Sequence, residues 1–244
     1  MFKKSKDRFA EIDVLRGLAV IGMIIYHFFY IGNFYGFFEI NFKTVPWLIV
    51  ARFVQVTFLI LVGVSMSISK RRSRNFHSKQ LKRAVIVFAF AMAITLATYI
   101  FAPDRVIIVG ILHLIAISIL ILSVLIDKKF LLLFLAGFAL FYGLAIDEMA
   151  VPHSLILNII GFSSEGYYAL DYFPIFPWIS GPLFGAFLGG LIYKNGARRF
   201  GILPDNFIIK GISWFGKNAL VIYVSHLVIL ALLAKVLVTI LKFS

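Results

Sequence analysis

The sequence contains no cysteine. Disulfides, thiolate nucleophiles and cysteine-ligated metals are therefore excluded. Charge is scarce as well. Only 14% of the 244 residues are charged, against about 25% in soluble domains. No G-x-x-x-x-G-K-[ST] phosphate loop and no G-x-S-x-G elbow occurs. The five histidines contain no His-x-x-x-His or His-Glu pairing, so no metal is expected. Short-period repeats and low-complexity tracts are missing too. No small-x-small cleavage site follows the first apolar run, which is expected to be retained.

What the chain does have is apolar bulk. Hydrophobic residues make up 61% and mean hydropathy is +0.98, which rules out both a water-soluble globule and a disordered chain. Runs such as 84–101 and 106–126 reach the ~20 residues that cross a bilayer's hydrocarbon as a helix. Reading apolar runs between charge clusters predicts an all-α, polytopic bundle of about seven transmembrane helices. The expected spans are 13–31, 47–69, 82–101, 106–126, 130–147, 173–193 and 218–241. The whole chain, 1–244, reads as a single integral-membrane domain. Residues 151–162 are apolar but too short to span, which suggests a re-entrant or interfacial segment. Residues 200–217 suggest an amphipathic cytoplasmic segment.

The formal charge of +13 comes from 24 Lys and Arg against 11 Asp and Glu. Nucleic acid is not the expected partner, because no soluble domain exists to carry it. Most of the basic excess sits in short runs: Lys3, Lys4, Lys6 and Arg8; Lys70 to Arg83; Lys128 and Lys129; Lys194, Arg198 and Arg199. With a cytoplasmic N-terminus, every one of these runs falls on the cytoplasmic side, as the positive-inside rule demands. Glu39, Asp104, Asp147, Glu148, Glu165 and Asp171 fall on the other side. The expected protein is a multi-pass resident of the cell membrane.

Polar side chains inside spans carry the functional information, since they are costly in hydrocarbon unless paired or used. The first span, EIDVLRGLAVIGMIIYHFFY, holds Asp13, Arg16 and His27. Eleven residues separate Arg16 from His27, close to three whole turns, so they share one helix face about 16 Å apart. By rise per residue, His27, Gln55 of the second span and His113 of the fourth lie at one depth, about 10–12 Å below the outer boundary. A hydrogen-bonded network between helices is the structural alternative. Tyr223 and His226 share a face of the last span at i, i+3. Asp171 and Tyr172 open the sixth, and Gly181, Gly185 and Gly189 suggest a close-packing stripe.

These residues form a recognisable series. EIDVLRGLAVIGMIIYHFFY resembles the opening of the heparan-α-glucosaminide N-acetyltransferase catalytic-domain family of membrane proteins. FLILVGVSMSIS, IIVGILHLIAIS, DYFPIFPWISGPLFGAFLGG and WFGKNALVIYVSHLVIL continue the match in order. The Arg16-x10-His27 spacing also resembles the first-span motif of type-3 membrane acyltransferases. The resemblance implies transfer of an acetyl group from cytosolic acetyl-CoA to a sugar or glycan acceptor on the far side. In the lysosomal enzyme that names the family, the catalytic histidine follows the first span. Here that stretch, IGNFYGFFEINFKTV, has none, and the resemblance to the R-x10-H acyltransferases implies His27 as the candidate base instead.

On this reading His27 removes the acceptor proton during direct transfer, or itself becomes acetylated. Gln55 or His113 donates to the developing oxyanion. Arg16, oriented by Asp13, holds a phosphate of acetyl-CoA. Asp171 and Tyr172 are candidates for acceptor binding. The expected partners are the lipid bilayer, acetyl-CoA and the acceptor, and a homodimer is among the assemblies allowed. A small transporter or proton-coupled permease uses the same residue types inside the membrane. It and an assembly protein without chemistry are the competing readings.

Overall fold

A computed structural model describes residues 9–147, 149–151, 154–164, 171–193, 204 and 206–243. Lys3, Lys4, Lys6, Arg8, Glu148, His153, Glu165, Lys194, Arg198, Arg199 and Asp205, all named above or in the segments read there, lie outside the described residues. The apolar runs form helices: α1 (Ala10–Phe34), α2 (Val45–Arg72), α3 (Phe76–Phe101), α4 (Ile111–Leu125), α5 (Lys129–Asp147), α7 (Ser180–Ile192) and α9 (Ala219–Phe243). Several are longer than the runs that predicted them. The apolar run marks hydrocarbon thickness, whereas the backbone ladder continues into polar flanks. Lys70, Arg71 and Arg72 close α2, where cations favour the negative end of the helix dipole.

Five helices, α1, α2, α3, α5 and α9, are long and apolar enough to cross a membrane. Large apolar side chains face outward along them, among them Phe88 and Leu96 of α3, Phe134 and Phe141 of α5 and Leu232 and Leu237 of α9. Burying these faces in water would reverse the usual sorting of side chains; lipid accepts them.

The other two expected spans are shorter helices than their apolar runs suggested. α4 has 15 residues and begins at Ile111 rather than near 106, giving about 22 Å of rise. α7 has 13 residues and begins at Ser180 rather than near 173, giving about 20 Å. Pro174 and Pro177 lie before it, and each lacks the N–H that a helix interior needs. Residues 151–162 contain the one-and-a-half-turn helix α6 (Leu155–Ile160). A two-residue parallel pair, β1 (Ala150–Val151) with β2 (Ser163–Ser164), flanks it. The amphipathic segment forms α8 (Phe207–Lys217), whose N-cap Asn206 accepts from Ile209 N–H at 2.9 Å.

The chain divides into two compact units. The first comprises residues up to Phe58 together with those from Gly201 onward. In it α8 packs directly on the beginning of α1. A Cβ at Gly17 would meet the Ile212 carbonyl oxygen, and one at Gly216 would meet the Asp13 carbonyl oxygen. Only glycine allows so close a crossing of two backbones. Val20 and Met23 of α1, Val54 of α2 and Ala219 of α9 form the buried centre, with Phe58, Phe215 and Tyr223 around it.

The second unit spans Leu59–Phe200. Here the small-residue stripe of α7 seats against α2. A Cβ at Gly185 would strike the Ile60 carbonyl oxygen, and one at Gly63 the Pro182 carbonyl oxygen. Ser67 Oγ donates to the Ala186 carbonyl at 2.6 Å across the same contact. Leu59, Met66, Leu114, Ile119, Leu122 and Leu132 are its most deeply buried large side chains.

Candidate active site

Three turns of α1 separate the two residues of the Arg-x10-His motif. At the first, Arg16 Nη1 stands 3.4 Å from Asp13 Oδ1, with the carboxylate buried. The pair belongs to the stretch of α1, Asp13 to Gly17, whose backbone α8 crosses.

At the other end of the motif, His27 meets His226 of α9. His226 Nε2 lies 3.3 Å from His27 Nδ1, and the ring centroids are 4.9 Å apart. The hydrogen-bond pattern assigns both tautomers. His27 Nδ1 lies 2.9 Å from the Met23 carbonyl. His226 Nδ1 lies 2.7 Å from the Tyr223 carbonyl and 3.1 Å from that of Ile222. A carbonyl can only accept, so each Nδ1 carries the proton and donates. His226 Nε2 then carries a lone pair, and the single His27 Nδ1–H is shared between it and the shorter contact to the Met23 carbonyl. His27 Nε2 is left as a basic nitrogen with no hydrogen-bond partner among the described residues. A base with one nitrogen anchored and the other open is the arrangement general-base chemistry needs.

Sequence reasoning placed Tyr223 and His226 on one face of the last span but gave them no role. Their intramembrane position was the available signal; the pairing with His27 was not legible. It also passed over Arg52, a cation within the second span. Its Nη1 donates to Gln55 Oε1 at 3.1 Å. Gln55 therefore has its carbonyl oxygen engaged, while its amide N–H groups remain donors.

His27 and Gln55 belong to the first unit and His113 to the second. The buried His113 ring is used on both sides. Its Nδ1 accepts from Gly110 N–H at 3.2 Å. Nε2 then carries the proton and donates to Thr95 Oγ1 at 3.3 Å, while that hydroxyl donates to the Ile107 carbonyl at 2.6 Å. Thr98 Oγ1 accepts from Ile107 N–H at 3.1 Å. The ring thus ties the start of α4 and the 106–110 connection to α3. Asp171 closes the same helix start, its Oδ2 accepting from Ile111 N–H at 3.0 Å. A Cβ at Gly110 would meet that carboxylate oxygen at 2.6 Å. The Tyr172 hydroxyl donates to the Asn158 carbonyl at 2.8 Å. Asp171 and His113 thus both act at the start of α4, while Tyr172 holds the backbone of α6.

The sequence model of the heparan-alpha-glucosaminide N-acetyltransferase catalytic family matches residues 8–228. That match takes in α1 with Arg16 and His27, α4 with His113, and α9 as far as His226. No curated protein and no solved structure shows a significant match. Five spanning-length apolar helices and membership of a family of membrane acetyltransferases make this an integral membrane protein. The chain belongs to the heparan-α-glucosaminide N-acetyltransferase catalytic family.

Proposed function

We propose that this protein transfers an acetyl group from cytosolic acetyl-CoA to a sugar hydroxyl or amine on the extracytoplasmic side, with His27 as the general base. The observation that supports this reading is the His27–His226 pair, which leaves His27 Nε2 alone with a lone pair to offer. Acetyl-CoA supplies the acetyl group as a thioester. His27 Nε2 takes the proton from the attacking acceptor oxygen or nitrogen. As that atom bonds to the acetyl carbon, the carbon–sulfur bond breaks, and the proton passes from His27 to the departing thiolate. His226 acts as a positioning residue: its acceptor nitrogen holds His27 Nδ1–H and keeps Nε2 turned to the acceptor.

Arg16 anchors a donor phosphate. A guanidinium is permanently charged and its planar fork matches the geometry of a phosphate. About 16 Å of helix rise from Arg16 to His27 suits an extended pantetheine arm. Gln55 contributes its amide N–H groups to the oxyanion. His113, Asp171 and Tyr172 hold backbone within the second unit.

In this reading α4 and α7 join the five longer helices as spans, giving seven, with the N-terminus cytoplasmic and the chain multi-pass in the cell membrane. The decisive experiment incubates the purified protein in lipid nanodiscs with radiolabelled acetyl-CoA and amino sugars. Labelled acetyl-sugar, lost in His27→Ala, is the expected result. Solute uptake into liposomes with no acetyl transfer would replace this reading with a transporter.

A further inference from the structure

Beside His27, four aromatic rings come together from three parts of the chain. Tyr26 and Tyr30 stand one turn apart on α1, Phe42 lies on the 35–44 connection, and Trp47 opens α2. The Tyr26 ring lies 5.6 Å from the His27 ring, 5.4 Å from Phe42 and 6.0 Å from Trp47. It stacks on Tyr30 at 6.3 Å with 11° between planes. Phe42 completes the group at 5.3 Å from Tyr30 and 5.1 Å from Trp47.

The connection that delivers Phe42 is held in place. Asn33 Oδ1 accepts from Ile40 N–H at 2.7 Å, Phe37 N–H donates to the Gly32 carbonyl at 2.8 Å, and Asn41 Oδ1 accepts from Lys43 N–H at 2.9 Å. Gly36 turns the chain at φ 82°, a conformation that suits glycine. The rings are thus preorganised.

The cluster combines apolar faces with polar edges that have no partner. The Tyr26 and Tyr30 hydroxyls and the Trp47 indole N–H make no hydrogen bond among the described residues. Tyr30 is 37% exposed, and Tyr26, Phe42 and Trp47 are half-buried. Tyrosine and tryptophan at a bilayer surface lay their rings at the headgroups. Here the rings touch one another and reach inward to the histidine.

We infer that Tyr26, Tyr30, Phe42 and Trp47 form the seat on which the sugar acceptor of the proposed reaction lies. A pyranose has an apolar C–H face and a rim of hydroxyl or amino groups. The face matches aromatic rings and the rim matches the unpartnered hydroxyls and indole N–H. A sugar lying on this seat is one ring away from His27, which brings a rim group to the base. This inference rests on the acetyl-transfer reading for its purpose, but not for its binding test.

Glucosamine and glucose are titrated against wild-type protein and Trp47→Phe in nanodiscs while tryptophan fluorescence is followed. The expected result is a saturable response in wild type that disappears in Trp47→Phe. Tyr26→Ala weakens the binding roughly 2- to 10-fold, and Tyr26→Phe, which keeps the ring, less. In acetyl transfer, Trp47→Phe raises the acceptor KM and leaves the acetyl-CoA KM unchanged. Fluorescence that responds to sugar while wild type transfers no acetyl group would uphold the seat and remove the enzyme reading. Acetyl transfer with no response at Trp47, and an unaltered acceptor KM in Trp47→Phe, would overturn the seat and leave the enzyme reading standing.

Discussion

His226 Nε2 lies 3.3 Å from His27 Nδ1, although the two residues are 199 positions apart in the chain. The single Nδ1–H of His27 is shared between His226 Nε2 and the Met23 carbonyl, while that of His226 goes to the Tyr223 carbonyl. The contact is therefore directional: His226 accepts, His27 donates, and the open lone pair belongs to His27.

Replacing His27 removes that lone pair. His27→Ala is expected to lower acetyl-transfer turnover by about 10²–10⁴-fold, the usual contribution of a positioned general base. Acetyl-CoA binding, followed by isothermal titration, should change little. Near-normal turnover in folded His27→Ala protein would move the base elsewhere.

His226 should behave differently, because it works through His27. Asparagine imitates a histidine Nδ1 and glutamine an Nε2, and the nitrogen used here toward His27 is Nε2. His226→Gln, whose carbonyl oxygen accepts, should therefore retain more turnover than His226→Asn or His226→Ala. The acidic limb of the pH–rate profile should move in His226→Ala and return toward wild type in His226→Gln. Equal loss in all three, with the profile unmoved, would reduce His226 to packing.

Arg16→Ala should weaken acetyl-CoA binding, with Arg16→Lys intermediate because a lysine supplies charge without the planar fork. Neutralising residues between Lys70 and Arg83 should produce a smaller loss that fades as salt is raised. Titration calorimetry at two ionic strengths separates the two effects.

The glycines at helix crossings give a stability test independent of any activity. Gly216→Ala puts a Cβ against the Asp13 carbonyl, and Gly17→Ala puts one against that of Ile212. Each should destabilise by about 1–3 kcal/mol, the range for forcing extra volume into a packed contact. Gly137 and Gly211 have nothing within 4 Å of an added Cβ. Alanine there should be neutral or stabilise by up to about 1 kcal/mol through helix propensity. Thermal unfolding in detergent compares the two pairs.

Topology can be read with single cysteines, since the native chain contains none. A cysteine at Ser73, in the connection between α2 and α3, should resist an impermeant thiol reagent added to intact cells. It should react once the membrane is opened. Labelling from outside would reverse the proposed orientation.

The sequence alone determined the apolar runs, the shared face of Arg16 and His27, and the small-residue stripe of α7. All three are local: run length, the 3.6-residue period and a four-residue spacing are properties of one segment, written in consecutive residues. The resemblance along the chain led in the same way to the family.

What it could not determine was which of these polar residues are occupied by structural work. His113 reads from the sequence as an open intramembrane histidine. The Gly110 N–H at the start of its own helix engages one nitrogen, and packing against α3 engages the other through Thr95. Asp171 reads as a candidate for the acceptor, yet its carboxylate caps α4 from 60 residues away. Proline at 174 and 177 was visible, but the retreat of α7 to Ser180 took the folded backbone to show. A side chain's availability depends on what other segments bring to it. Only the tertiary structure decided that His27 meets His226 and that four rings gather beside it, because hydrogen bonds and ring contacts of a few ångströms join residues that the chain keeps far apart.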